Sequence, residues 1–101
     1  MQTTRTRVLI HDTLRPALSP HVHMHFNELR QAYAVLAPEH VYWPDDISVS
    51  ILKKLDGVRD VATIIDELAH DYDAPSEAVG VDVREFLQTW ADERLITEAT
   101  S

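Results

Sequence analysis

The chain has no cysteine among its 101 residues, which excludes in one step a disulfide framework, a thiolate zinc site, a thiolate-held iron–sulfur cluster and a cysteine nucleophile. It has only two glycines, Gly57 and Gly80, so no glycine-rich loop can cradle a phosphate, and neither a G-x-S-x-G nor an H-E-x-x-H motif occurs. Long apolar runs are missing too. The longest aliphatic stretch near the start is Val8 to Ile10, far short of a signal-peptide core or a membrane span, so the expectation is a soluble cytoplasmic protein without a membrane partner. Basic residues are scarce, 9 against 17 acidic ones, and the first thirty residues carry a net +2 while the rest carry −10. An acidic body is a poor match for a phosphate backbone, which is bound by releasing counterions from basic groups, so the charge points away from nucleic acid and towards proteins or peptides.

What is present suits one globular core: 45% apolar and 26% charged residues are average proportions, and the length leaves room for a single domain. Residues 1–20 are mixed polar and basic with two prolines and no sustained periodicity, and read as a flexible N-terminal arm. Residues 21–96 form the domain and 97–101 a C-terminal tail. From His21 to Asn27 the pattern alternates strictly, with Val22, Met24 and Phe26 on one face and His21, His23 and His25 on the other, as in a half-buried strand. Tyr33 to Ala37 gives a second strand and Val41-Tyr42-Trp43 a third, ended by Pro38 and Pro44, which lack the amide needed for a ladder.

Beyond Pro44 the apolar period changes from two to 3.6. Asp45 or Asp46 caps a short helix carrying Ile47, Ile51, Leu52 and Leu55, with Gly57 as a left-handed stop. Asp60 caps a second helix whose stripe is Val61, Ile64, Ile65, Leu68, Ala69 and Tyr72. Pro75 suits the first turn of a third, with Val79, Val83, Phe86, Leu87 and Trp90 at helical spacing before Leu95 and Ile96. Gly80 interrupts it, at the usual helix cost of about 1 kcal/mol relative to alanine, and marks either a close backbone approach or tolerance near a frayed turn. The class is therefore α+β and winged-helix-like: a three-stranded antiparallel sheet followed by a three-helix bundle.

Three constellations could carry chemistry. His21-x-His23-x-His25 puts three imidazoles on one strand face, a weak metal candidate weighed against an ordinary solvated face, because the sequence places no carboxylate to complete it. Asp71-x-Asp73 with Glu77 resembles the start of a calcium loop but has Ser76 where the loop needs glycine. The acid pairs Asp45-Asp46 and Asp66-Glu67 sit where caps and solvated helix faces belong, so no catalytic residue and no cofactor is assigned. A winged helix would read DNA with its third helix, yet residues 75–93 hold five acids against Arg84 alone.

The aromatic residues suggest a different role. If the third helix packs beside the third strand, Val41, Tyr42 and Trp43 on one side and Val83, Phe86, Leu87 and Trp90 on the other border a groove. Such a groove offers main-chain hydrogen bonds and apolar pockets, which is what strand addition of an extended peptide requires.

Leu36-Ala37-Pro38-Glu39, then Ile51-Leu52-Lys53-Lys54-Leu55-Asp56-Gly57, then Asp82-Val83-Arg84-Glu85-Phe86-Leu87 with Leu95-Ile96 closing, together resemble the PqqD family of pyrroloquinoline quinone biosynthesis over about residues 15–96. The resemblance implies a peptide-recognition domain that binds the ribosomal precursor peptide PqqA, presents it to the radical S-adenosylmethionine enzyme PqqE and catalyses nothing itself. It implies the same groove, Val41 to Trp43 with Val83, Phe86, Leu87 and Trp90, and a monomer or weak homodimer. His23 and His25 stand where such proteins more usually carry basic residues, and Glu93-Arg94 where a glycine often precedes the final apolar pair. The alternatives carried from the residues are an acidic winged-helix regulator of DNA or protein, and a recognition domain of another peptide-modifying pathway.

Overall fold

Alternation of apolar and polar residues builds the first half of the fold. The computed structural model describes residues 7–99. After a three-residue strand β1 (Pro16–Leu18) come β2 (His23–Asn27), β3 (Ala32–Leu36) and β4 (Val41–Tyr42). The last three form an antiparallel meander in which Met24 lies opposite Val35 and Val35 opposite Tyr42, so these three side chains make one row on the core face. The hairpin between β2 and β3 is set by Asn27, whose side chain accepts from the Arg30 amide at 2.9 Å, and Gln31 takes the positive φ of 52° that asparagine and glycine more often supply. Pro38 and Glu39 make the turn into β4, closed by the Ala37 amide on the His40 carbonyl at 3.0 Å.

The helical half is α1 (Asp46–Leu52), α2 (Val61–Asp71) and α3 (Ser76–Asp92), followed by a last strand β5 (Ile96–Glu98). The side chain of Asp45 accepts from the Ser48 amide and that of Asp60 from the Thr63 amide, both at 2.8 Å. These bonds satisfy amides that the first turn leaves without a partner, and they hold both carboxyls below the usual range. Pro75 stands just before α3. Val61, Ile64, Ile65 and Leu68 of α2 are buried against Val83 and Leu87 of α3 and against Val35, as the stripe predicts, while Tyr72 reaches the surface. Lys54 ties the end of α1 to α2 through Glu67 at 3.0 Å and Asp71 at 3.2 Å. Among the described residues no helix is long and apolar enough to cross a membrane.

Three expectations need correction. The arm over residues 1–20 is part of the fold from Leu14 onward: Leu14 is 1% exposed, and β1 pairs antiparallel with β5, Pro16 opposite Glu98 and Leu18 opposite Ile96. The carbonyls of Asp12 and Leu14 also accept from the Ala62 and Val61 amides, completing the first turn of α2. Pro16 is tolerated because Arg15 and Ser19 make the bonds at either end of the β1–β5 pair, and alternation turns the Pro16 nitrogen away from β5. Residues 1–6 of that arm lie outside the described residues. Likewise Thr97 and Glu98 belong to β5 and the Ala99 amide donates to Arg15 at 2.8 Å, which leaves only residues 100–101 of the expected tail outside the described residues. Finally, α1 ends at Leu52, several residues before Gly57. The φ of 76° at Gly57 serves the loop that docks on β1: its amide donates to the Pro16 carbonyl, and a Cβ there would meet that of Ala99 at 3.1 Å.

Candidate functional site

The third strand and the third helix, expected to border a groove, lie beside each other, joined through the Tyr42 and Trp90 rings. In the order β2-β3-β4, β4 has one hydrogen-bonded neighbour, and among the described residues no strand pairs with its other edge. With Ala37 and His40 hydrogen-bonded at the turn, the alternation of an antiparallel ladder makes Leu36/Val41 a non-bonded pair and Val35/Tyr42 a bonded one. The main-chain N–H and C=O of Val41 therefore point to the open edge, and its side chain is 55% exposed. Tyr42 faces the other way, onto the core, where its ring lies 5.8 Å from that of Trp90. Trp90 stacks on Phe86 one turn earlier at 4.9 Å, so β4 runs beside the C-terminal half of α3.

The seven residues expected to line the groove do not all do so. Phe86 and Trp90 are half-buried at its wall. Val83 is buried and lines a pocket nearby, whereas Leu87 is 0% exposed and belongs to the core, a correction that follows from its position on the helix face turned to α2 and β3. Trp43 lies just beyond the end of β4, 42% exposed, and its ring carries the Arg30 guanidinium at 4.3 Å.

Two depressions follow α3 on this side. One of about 290 Å³ is lined by Asp82, Glu85, Phe86, Thr89 and Trp90. The other, about 210 Å³ and largely apolar, opens between α1, α2 and α3 and is lined by Ile47, Ile51, Leu68, Tyr72, Val79, Asp82 and Val83. Asp82 stands in the wall of both. A hydrogen bond of 2.6 Å between the Ser50 and Tyr72 hydroxyls joins α1 to the end of α2 beside the second depression. Its lining was not read from the sequence as a site, because Ile47, Ile51, Leu68 and Tyr72 fit the stripes of core-facing helices. The one available signal was Asp82, a carboxylate set between the apolar positions Val79 and Phe86 of the same helix.

The opposite side of α3 is occupied. Arg84, Gln88 and Asp92, at i, i+4 and i+8, hold the segment that leads into β1. Arg7 donates to both Asp92 oxygens at 2.8 Å, the Gln88 side chain accepts from the Ile10 amide at 3.0 Å and donates to the Val8 carbonyl at 2.9 Å, and Arg84 donates to Asp12 at 3.0 and 3.1 Å. Gly80 lies inside this arrangement: a Cβ there would come within 2.7 Å of an Arg84 guanidinium nitrogen and 3.6 Å of Ile65 Cδ1. The close approach expected at this glycine is therefore mainly that of an arginine folded back along its own helix.

His21, His23 and His25 are exposed, and the last two stand opposite Leu36 and Ala34. Among the described residues no group of three histidine, aspartate or glutamate side chains could hold a metal ion. What the groove offers is an open strand edge, two depressions and carboxylates at their rims, a set of features suited to binding an extended chain.

Residues 32–96 match the family model of coenzyme PQQ synthesis protein D (PqqD). A relative from Rhodopseudomonas palustris (strain TIE-1), named PqqA binding protein, is 47% identical over 93 residues, 92% of this chain and 91% of its own. Among solved structures, the PqqD truncation of Methylobacterium extorquens PqqCD, described as a functional and stand-alone RiPP recognition element, superposes with a TM-score of 0.75 at 30% identity, covering 88% of this chain and 95% of that one. TbiB1 in complex with the TbiA(beta) leader peptide shares the fold at a TM-score of 0.70 and 18% identity, over 84% of this chain and 99% of that one.

Proposed function

Because the chain belongs to the PqqD family, we propose that it is a non-catalytic peptide chaperone of pyrroloquinoline quinone biosynthesis. In this reading it binds the precursor peptide PqqA by strand addition at β4 and delivers it to the radical S-adenosylmethionine enzyme PqqE. The observation that carries the proposal is the open edge of β4 held next to the Phe86–Trp90 wall of α3. An extended peptide laid there gains main-chain bonds from Val41 and places alternate side chains towards α3. The name of the Rhodopseudomonas relative supports PqqA as the ligand, and the leader-peptide complex of TbiB1 supports a fold able to hold a leader. Val41, Tyr42, Trp43, Phe86 and Trp90 are proposed to frame the bound strand, with Val83 and Leu87 supporting it from beneath.

Strand addition makes a prediction that leaves the protein untouched. In a series of PqqA peptides N-methylated at one residue each, affinity measured by fluorescence anisotropy should fall steeply at alternate residues and little at those between, because only every second amide faces the protein edge. Uniform tolerance of N-methylation by a peptide that still binds would overturn strand addition. Delivery is tested separately, by whether PqqE-type enzyme co-elutes with the protein–peptide complex; its absence from that complex would remove this part of the proposal.

A further inference from the structure

Asp82 and Glu85 lie three residues apart on the groove side of α3, both exposed and with no cationic partner among the described residues. Other bases have partners elsewhere: Arg84 turns to Asp12 on the far side of the helix, Arg7 to Asp92, Lys54 and Arg59 to Glu67, while Arg30 lies over Trp43 and Lys53 over Tyr33. The groove wall thus carries two uncompensated negative charges. They stand between an aromatic depression at Phe86 and Trp90 and an apolar one whose mouth is formed by Ile47, 61% exposed, and Tyr72.

From this placement we infer that the groove selects a peptide segment carrying a large apolar side chain, seated between α1, α2 and α3, with a lysine or arginine close to it in sequence lying against Asp82 and Glu85. The inference rests on the peptide-binding reading above and deepens it: strand addition supplies affinity without regard to sequence, and these two features would supply the choice. Continuity supports the single occupant. Asp82 walls both depressions, and α1, which carries Ile47 and Ile51 of the apolar one, follows β4 after only Trp43, Pro44 and Asp45. Charge complementarity sets the sign of the neighbouring residue.

The test uses the full chain and synthetic PqqA peptides in which each lysine or arginine is changed to glutamate and each large apolar residue to alanine, one at a time. The protein variants are D82K/E85K, the milder D82N/E85Q, and I47D, all at exposed positions, with folding checked by circular dichroism. The expected result is about tenfold weaker binding of the parent peptide to D82K/E85K at 50 mM salt, a smaller loss for D82N/E85Q, and convergence of both charge variants with the native chain at 0.5 M salt. One glutamate-substituted peptide should regain affinity on D82K/E85K only. One alanine substitution should cost about tenfold on the native chain and little on I47D. Unchanged affinity of the charge variants at low salt, or no peptide position that responds selectively, would overturn the inference while leaving an alternating N-methyl pattern, and hence the binding mode, intact. If the native chain bound none of the peptides, the binding function and this inference would fall together.

Discussion

The Tyr42 and Trp90 rings, 5.8 Å apart and inclined at 44°, join the edge strand of the sheet to the last helix across 48 residues of sequence. Tyr42 is turned inward by the ladder register and Trp90 by the period of α3.

Trp90→Ala removes both this contact and the stacking on Phe86. The loss should be about 2 kcal/mol of stability for a half-buried indole, measured by urea denaturation, with peptide affinity reduced further at temperatures where the variant is fully folded. Trp90→Phe should recover most of both. Native-like peptide affinity in folded Trp90→Ala would remove α3 from the binding surface.

Leu14 and Leu29 offer a contrast between two leucines in irregular segments. Leu14 is 1% exposed among core residues, so Leu14→Ala should cost about 3 kcal/mol, whereas Leu29, at the tip of the β2–β3 hairpin and open to solvent, should tolerate alanine within about 0.5 kcal/mol. Equal urea midpoints for the two variants would contradict the burial of Leu14 in the core.

Gly80→Ala sets two effects against each other. Alanine gains about 1 kcal/mol of helix propensity, while the new methyl displaces the Arg84 guanidinium from Asp12, an exposed pair worth about 0.5 kcal/mol. The net should be a small rise in thermal midpoint together with release of the Arg84 side chain, visible as sharpening of its Nε–H resonance. A fall in midpoint would show that moving the Arg84 guanidinium aside costs more than the helix propensity gained.

Acid should destabilise the fold through three aspartates. Backbone amides hold the Asp45, Asp56 and Asp60 carboxyls below their ordinary values. A carboxyl depressed in the folded state contributes stability that is present above the unfolded value of about 3.9 and is lost as pH falls through the folded one. Unfolding midpoints should therefore be level near neutrality and drop below about pH 4, with a shallower drop in the D45N/D56N/D60N variant. An identical acid limb in that variant would assign the loss to other carboxylates. Lys54 acts in the alkaline direction: its hydrogen bond to Glu67 outweighs burial and raises its value, so its contribution persists to about pH 10 and fades above the folded value.

Much of this architecture was legible from period and caps. The meander, the α2 stripe and the Asp45 and Asp60 caps follow from local rules, because each depends on residues within one or two turns of one another. The β1–β5 pair was not legible, since three residues beginning with proline give no alternation, and their partner lies some eighty residues away. The groove was half legible. Helical spacing grouped Val83, Phe86, Leu87 and Trp90, but spacing alone does not divide a stripe between core and surface, and it is the position of β4 that leaves Phe86 and Trp90 at the wall and Leu87 beneath. The pocket between the three helices depends on how α1 leans on α2 and α3, a tertiary fact with no local signature.

The pairing of β1 with β5 also bears on how another domain could be attached. Val8, Ile96 and Thr97 border one small depression, and the Ala99 amide donates to the Arg15 carbonyl, so the segments that enter and leave the described fold both lie against the β1–β5 pair. A tether grafted on either side of the domain then starts from that pair. The local concentration of a linked enzyme around the groove is then governed by linker length, not by the order of the two parts in the polypeptide.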